Sequence, residues 1–278
     1  MSLFVNTNVA SLNAQRNLNS SGNALATSLQ RLSSGLRVNS AKDDAAGLAI
    51  ASGMNAQIKG SNQAVRNAND GISLLQTAEG TVGQIEANVQ RIRELAVQAA
   101  NGTSSTDNIA QIKSEVDELQ KENTRLIGGT TFNGQQLFDT GKLLDTGSDF
   151  QIGAGNTTND KVNVKVTGID TTSLKSAASI TLASQGDAQT LIGDMDADLK
   201  TIATARATMG ALQNRFSAVV ANLQTFSENQ SASMSRIMDT DFAAESATLT
   251  RNQIIQQAGT AMLSQANQMP QAALSLLK

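Results

Sequence analysis

Apolar positions recur at three- and four-residue steps through most of the chain and lose that spacing only between residues 128 and 185. The most regular run is Val65, Ala68, Ile72 and Leu75, continued by Ala78, Val82, Ile85, Val89, Ile92, Ala96 and Ala99. It predicts a helix in which residues 57–100 would extend about 65 Å at 1.5 Å per residue. Asn101-Gly102 marks its end and Thr106-Asp107 the next start, after which Ile109, Ile112, Val116, Leu119 and Leu126 line a second helix. A third begins with Ile192, Met195, Leu199 and Ile202 and continues through Met209, Leu212, Phe216, Val219, Leu223 and Phe226. Three such stripes are expected to pack as a bundle, the alternative being separate helices of an ordinary α-domain. In residues 128–185, Gly128-Gly129, Asn133-Gly134 and Gly147 signal turns, and Val162-Asn163-Val164-Lys165-Val166 alternates as a strand does. A hairpin or small sheet is expected there.

The two ends differ from ordinary termini, which are polar and frayed unless tied down. Asn252 to Leu277 holds no charged residue and carries Ile255, Ala258, Met262, Ala266, Met269, Ala273 and Leu276 on one helical face. Residues 1–36 hold only Arg16 and Arg31 as charges, with a leucine face of Leu18, Leu25, Leu29, Leu32 and Leu36 preceded by Val5, Val9 and Leu12. The many amides between Gln253 and Gln271 would be unsatisfied in lipid, so no membrane span is expected, and scarce Lys and Arg argue against an interfacial helix. Burying an apolar side chain yields roughly 1.5–3 kcal/mol, less for alanine, whereas ordering backbone costs about 1–2 kcal/mol per residue. Each terminal helix therefore needs neighbours on more than one side. The fold class that follows is mainly α: an elongated antiparallel helical bundle or coiled coil with a small β-hairpin region and paired N- and C-terminal helices.

Composition narrows the functions. The 278 residues are 40% apolar and include seven Phe and one Pro, Pro270, but no Trp, Tyr, Cys or His. A net charge of -3 with no basic aromatic constellation argues against nucleic acid. Without Cys there is no disulfide, thiolate metal site or thiol nucleophile. The start Met1-Ser2-Leu3-Phe4-Val5-Asn6 has no basic n-region followed by an apolar core, so no cleavable secretory signal is expected.

With His and Cys missing, no nucleophile and base pair stands at a defined spacing, and the expectation is no enzyme, no cofactor and no metal. Asp43-Asp44 reads as a solvated helix start rather than a catalytic pair. Asp194, Asp196 and Asp198 resemble a metal spacing, but the Gly and Glu of a calcium loop do not follow, and alternate positions do not share a helix face, so they are expected to be surface charges. Met262 and Met269 read as adaptable packing.

The run Arg31-Leu32-Ser33-Ser34-Gly35-Leu36-Arg37-Val38-Asn39-Ser40-Ala41-Lys42-Asp43-Asp44-Ala45-Ala46-Gly47-Leu48-Ala49-Ile50 closely resembles the N-terminal signature of bacterial flagellins. Arg66-Asn67-Ala68-Asn69-Asp70-Gly71, Arg93-Glu94-Leu95-Ala96-Val97-Gln98, Thr131-Phe132-Asn133-Gly134, Gln213-Asn214-Arg215-Phe216, Ser235-Arg236-Ile237 and Leu274-Ser275-Leu276-Leu277 fit as well. The similarity covers roughly residues 1–155 and 190–278, and the short interval between these flanks leaves no room for large outer domains.

The resemblance implies a structural subunit that polymerises into the flagellar filament. It implies an inner-tube domain from helices in 1–44 and 236–278, and a rod domain from 45–185, with its hairpin region in 128–185, and 186–235. Assembly would rest on Leu18, Leu25, Leu29, Leu32, Ile255, Met262, Met269, Leu274, Leu276 and Leu277. The implied partners are copies of the same chain, a flagellar export chaperone, the filament cap and hook-associated proteins, with secretion by the type III apparatus through an uncleaved signal to an extracellular filament. A toll-like receptor for flagellin, or a neighbouring subunit, would contact Arg91, Leu95 and Glu115. Alternatives are a hook-filament junction protein and, in another class, a secreted helical enzyme or translocator.

Overall fold

Side-chain caps decide where the helices start. The computed structural model describes residues 7–275, with side chains described as far as 268. Asn8 accepts the N–H of Ser11 at 3.1 Å and opens α1 (Val9–Ser34), which ends at Gly35 with φ 72°. Asp44 accepts the Gly47 N–H at 2.8 Å at the head of α2 (Ala45–Ala99). Ser105 caps α3 (Thr106–Gly129) by accepting from Asn108. The long helix α5 (Gln185–Met238) is followed by α6 (Phe242–Ser275), where Asp241 accepts from Ala243 and Ala244. Each cap supplies an acceptor for an N–H that the first helical turn leaves unpaired.

The middle of the chain is two small antiparallel pairs rather than one sheet. β1 (Thr131–Phe132) and β2 (Gln135–Gln136) are joined by Asn133-Gly134, both at positive φ, 51° and 77°. That is the backbone a two-residue type I′ hairpin requires. A short α4 (Leu143–Thr146) precedes β3 (Ser148–Gln151), which pairs with β4 (Lys161–Val164) so that Phe150 lies opposite Val162. Val162 and Val164 point inward and their neighbours outward, as the sequence alternation predicts.

The chain divides into two compact units, residues 1–56 with 229–278 and residues 57–228. The divisions fall inside α2 and α5. In the unit 57–228, α2 and α5 are antiparallel: Asn62 meets Ser227, Gly71 meets Phe216, Glu79 meets Gln213, Glu86 meets Arg206 and Arg93 meets Asp196. α3 folds back on α2 through Asn88–Asn123 and Arg91–Glu115.

The buried positions of α2 in this unit include Leu75, Ala78, Val82, Ile85, Val89, Ile92, Ala96 and Ala99, a strict alternation of three- and four-residue steps. Those of α5 keep the same heptad phase at Ala188, Leu191, Met195, Ile202, Ala205, Met209 and Phe216, in steps of three, four or seven. Phe226, at the end of the predicted stripe, is instead exposed.

Two further sequence expectations meet the structure at the aspartates. Asp44 is a helix cap, and Asp43 closes the preceding turn by accepting from Asn39 N, Ser40 N and the Ser40 hydroxyl, which holds its carboxyl below the usual range. Asp198 is not the expected surface charge. It occupies the slot between Met195 and Ile202 in the α5 stripe and is only 2% exposed, while Asp196 is outside, paired with Arg93 at 2.6 Å.

Phe216 ties the unit together. Its ring meets Phe150 edge-on at 5.7 Å and 77°, and a Cβ at position 71 would lie 2.9 Å from its Cζ, so glycine is what lets the ring seat against α2. Phe216→Ala is expected to cost about 3–5 kcal/mol, read as a lower urea midpoint at unchanged slope. An unshifted midpoint would show that the ring is not a keystone.

Candidate assembly surface

In the unit formed by 1–56 and 229–278, α1 packs on α6. The inward positions of α1 are Ser11, Ala14, Leu18, Ser21, Leu25, Ser28 and Leu32; those of α6 are Glu245, Leu249, Asn252, Gln256, Gly259, Leu263 and Ala266. Both sets follow three- and four-residue steps, the seam of a two-helix coiled coil. It is a seam of leucines interleaved with small and polar residues, so the helices approach closely: a Cβ on Gly259 would lie 3.3 Å from a Leu18 methyl. Direct hydrogen bonds set the register, from Ser11 Oγ to Asn267 Oδ1 at 2.8 Å and from Asn8 Nδ2 to the Ala266 carbonyl at 2.8 Å. At the other end Arg31 faces Glu245 at 3.8 Å.

Beyond that salt bridge the two helix breaks are joined. Leu36 and Asp239 form an isolated antiparallel bridge, and Thr240 N donates to the Gly35 carbonyl at 3.0 Å. Arg37 donates its backbone N–H to Met238 O at 2.6 Å and its guanidinium to Ile237 O at 2.7 Å. These are carbonyls at the end of α5 that the helix itself cannot satisfy, and a cation there also meets the negative end of the helix dipole.

The structure redistributes the predicted assembly residues. Leu18, Leu25 and Leu32 are half-buried in the seam and Ala266 is buried in it, whereas Leu29, Ile255 and Met262 are exposed. The face Ile255–Ala258–Met262 is therefore not the one that meets α1. The inward side is instead the one that carries Asn252, Gln256 and Gly259, which the reading of large apolar residues missed, and Gly259 lets Leu18 approach closely. Of the remaining residues, Leu276 and Leu277 lie outside the described residues, as do the side chains of Met269 and Leu274.

What remains on the outer faces is unusual for a helical pair. Val9 is 62% exposed, Ile254 60% and Met262 64%, and Leu12, Leu29, Ile50, Ile255 and Phe242 are exposed as well. Eight of the ten exposed large hydrophobics among the described residues belong to this unit, which buries only Val38, Ala51 and Ala266 among its apolar residues. Exposed large apolar side chains gathered in one unit in this way point to an interaction face.

The other predicted site is in the unit 57–228. Arg91 directs Nη2 and Nε to Glu115 Oε1 at 2.8 and 2.9 Å and Nη1 to Glu94 at 3.1 Å, all three side chains being exposed; these hydrogen bonds hold the Arg91 guanidinium above its ordinary value. Leu95 is 3% exposed and faces the core, so it does not join Arg91 and Glu115 on the surface. Among the described residues no cluster of acidic side chains is arranged to hold a metal, and no helix is long and apolar enough to cross a membrane.

A model of the bacterial flagellin N-terminal helical region matches residues 5–143, and one of the bacterial flagellin C-terminal helical region matches residues 192–277. The chain belongs to the bacterial flagellin family. It is a structural subunit of the flagellar filament.

A flagellin of Halalkalibacterium halodurans is 41% identical over 99% of this chain and 100% of its own, and a flagellin of Bacillus subtilis 40% identical over 99% of each. The flagellar filament 33 kDa core protein of Treponema phagedenis is 37% identical over 99% of this chain and its own full length. Among solved structures, Bacillus cereus flagellin superposes with a TM-score of 0.50 at 31% identity, covering 57% of this flagellin and 88% of that chain. A flagellar hook-associated protein of Vibrio parahaemolyticus reaches 0.57 over 71% of this chain and all of its own, at 10% identity, a likeness of fold alone.

The seam is directly testable because this flagellin has no native cysteine. The double variant Ser11→Cys/Asn267→Cys should form an intramolecular disulfide on mild oxidation, detected as a mass loss of two hydrogens and faster migration in a non-reducing gel. Adding Gly259→Leu should abolish it by wedging Leu18 away; efficient cross-linking in that triple variant would contradict the close seam.

Proposed function

We propose that filament assembly runs through the second faces of α1 and α6, the apolar surfaces left after these helices have paired with each other. The observation that carries this reading is the exposure of Val9, Leu12, Leu29, Ile254, Ile255 and Met262 in a unit with almost no apolar core. Each is about half exposed or more, so burial by another subunit would return roughly 1–2 kcal/mol per side chain. The intramolecular seam sets the helices in register, and copies of the same chain cover what it leaves bare. By resemblance, Met269, Leu274, Leu276 and Leu277 also belong to the region that family members use for assembly.

The remaining partners follow from the family. Export through the type III apparatus with a chaperone, growth beneath a filament cap on hook-associated proteins, and an extracellular filament fit a chain with no cysteine to oxidise and one proline to isomerise. Arg91 and Glu115 present a charged pair to a neighbouring subunit or to a toll-like receptor, and Leu95 supports that pair from beneath. In this reading the chain works by packing and catalyses no reaction.

Heat-dissociated protein mixed with filament seeds should elongate into long filaments visible by negative-stain microscopy. Ile255→Asp and Met262→Asp should block elongation while leaving the urea midpoint of the 57–228 unit unchanged. Normal filaments from the doubly substituted chain would overturn the assignment of this face, and protein that only caps the seeds would favour the junction-protein alternative.

A further inference from the structure

The two longest helices of the unit 57–228 meet through stripes of similar apolar residues repeated every seven positions. Such stripes leave axial register weakly specified, because sliding one helix by a heptad, about 10 Å, presents much the same surface. Polar groups buried among them remove that degeneracy. Asp198 sits in an apolar slot of α5 and accepts the backbone N–H groups of Lys175 at 3.0 Å and Ser176 at 2.6 Å, in the 3-10 turn Lys175–Ala177. The Ser176 carbonyl accepts from Asn123 Nδ2 at 3.5 Å, and Asn123 Oδ1 accepts from Asn88 Nδ2 at 2.8 Å. Asn88, Asn123, Ser176 and Asp198 are all buried. One continuous polar path therefore runs from α2 through α3 and the Lys175–Ala177 turn to α5.

We propose that Asp198 is a register lock: it pins the Lys175–Ala177 turn to α5 and, through Ser176 and the Asn123–Asn88 pair, sets the axial alignment of α2, α3 and α5. The site needs a group with two acceptors, since two N–H donors converge on it. Asparagine offers one acceptor and turns a donor toward the second N–H; leucine offers none. A heptad slip would carry the carboxylate about 10 Å from both donors and leave it buried and unpaired, which a low-dielectric interior penalises strongly. Burial already pushes the Asp198 carboxyl above its ordinary value against the pull of these donors. The lock lies wholly within the unit 57–228 and is independent of how the terminal helices assemble.

The test is a double-mutant cycle on the full-length chain in monomeric solution with Asn88→Ala and Asp198→Asn, residues joined by hydrogen bonds through Asn123 and Ser176. Coupling that changes the unfolding constant by more than about twofold relative to additivity is expected, since distant independent sites normally add within that margin. Additivity within it would overturn the lock. A second measurement needs no variant: in the wild-type monomer, the side-chain amide protons of Asn88 and Asn123 should exchange with solvent as slowly as the backbone amides of Val89 and Ile92. Rapid exchange of those side chains would overturn it equally.

Discussion

A long helix that meets one partner through a seam buries only two positions in each heptad. Everything else about this chain answers to that narrow coverage. Where α2 has both α3 and α5 against it, its apolar stripe is covered and a continuous core results. Where α1 has α6 along one face, the seam is satisfied and the rest of each helix is left to solvent. The same helical periodicity yields a buried core in one unit and an open apolar surface in the other, and the difference is the number of helices available within a single chain.

The seams also differ in how they obtain register. Between α1 and α6 it comes from small residues and edge contacts: Gly259 under Leu18, Ser11 on Asn267 and the strand-like joint of Leu36 with Asp239. The joint matters because it ties the loop after α1 to the break before α6, so two chain interruptions become one hydrogen-bonded feature instead of two frayed ends. Within the unit 57–228 the seams are bulkier, and register is reinforced from outside by Arg206 with Glu79 and Glu86 and by Arg93 with Asp196. Exposed pairs of this kind contribute little individually, typically below about 1 kcal/mol. They align helices more than they hold them together.

These differences explain what the sequence could and could not reveal. The stripes from Val65 to Ala99 and from Ile109 to Leu126 are legible because apolar residues occupy the buried slots at regular spacing, and β4 is legible from its alternation. On α6 the rule misleads. The largest apolar residues, Ile255 and Met262, mark the face that α1 does not cover, while the seam itself is built from Gly259, Asn252, Gln256 and Leu263. Hydrophobicity ranks burial, yet this seam mixes leucines with amides and one glycine that lets Leu18 approach closely, so a search for the largest apolar residues finds the uncovered face first. Asp198 was missed for a related reason: comparing it with Asp194 and Asp196 tests a metal spacing, whereas its position relative to Met195 and Ile202 places it in the core.

Leu95 shows the limit of carrying a role across by motif. The sequence around it matches the family, and Arg91 and Glu115 are exposed as a contact surface requires. At residue 95, however, the heptad turns inward, toward the same core as Ile92 and Ala99. What this surface presents is the guanidinium–carboxylate pair, while the leucine packs into the core beneath the helix on which Arg91 stands. Motif identity locates the surface, and the phase of the seam decides which of its residues a partner can touch. The same phase argument separates Met262 from Ala266 on α6, four residues apart, one left exposed and the other buried against α1. In a chain whose work is packing, that phase is the functional variable.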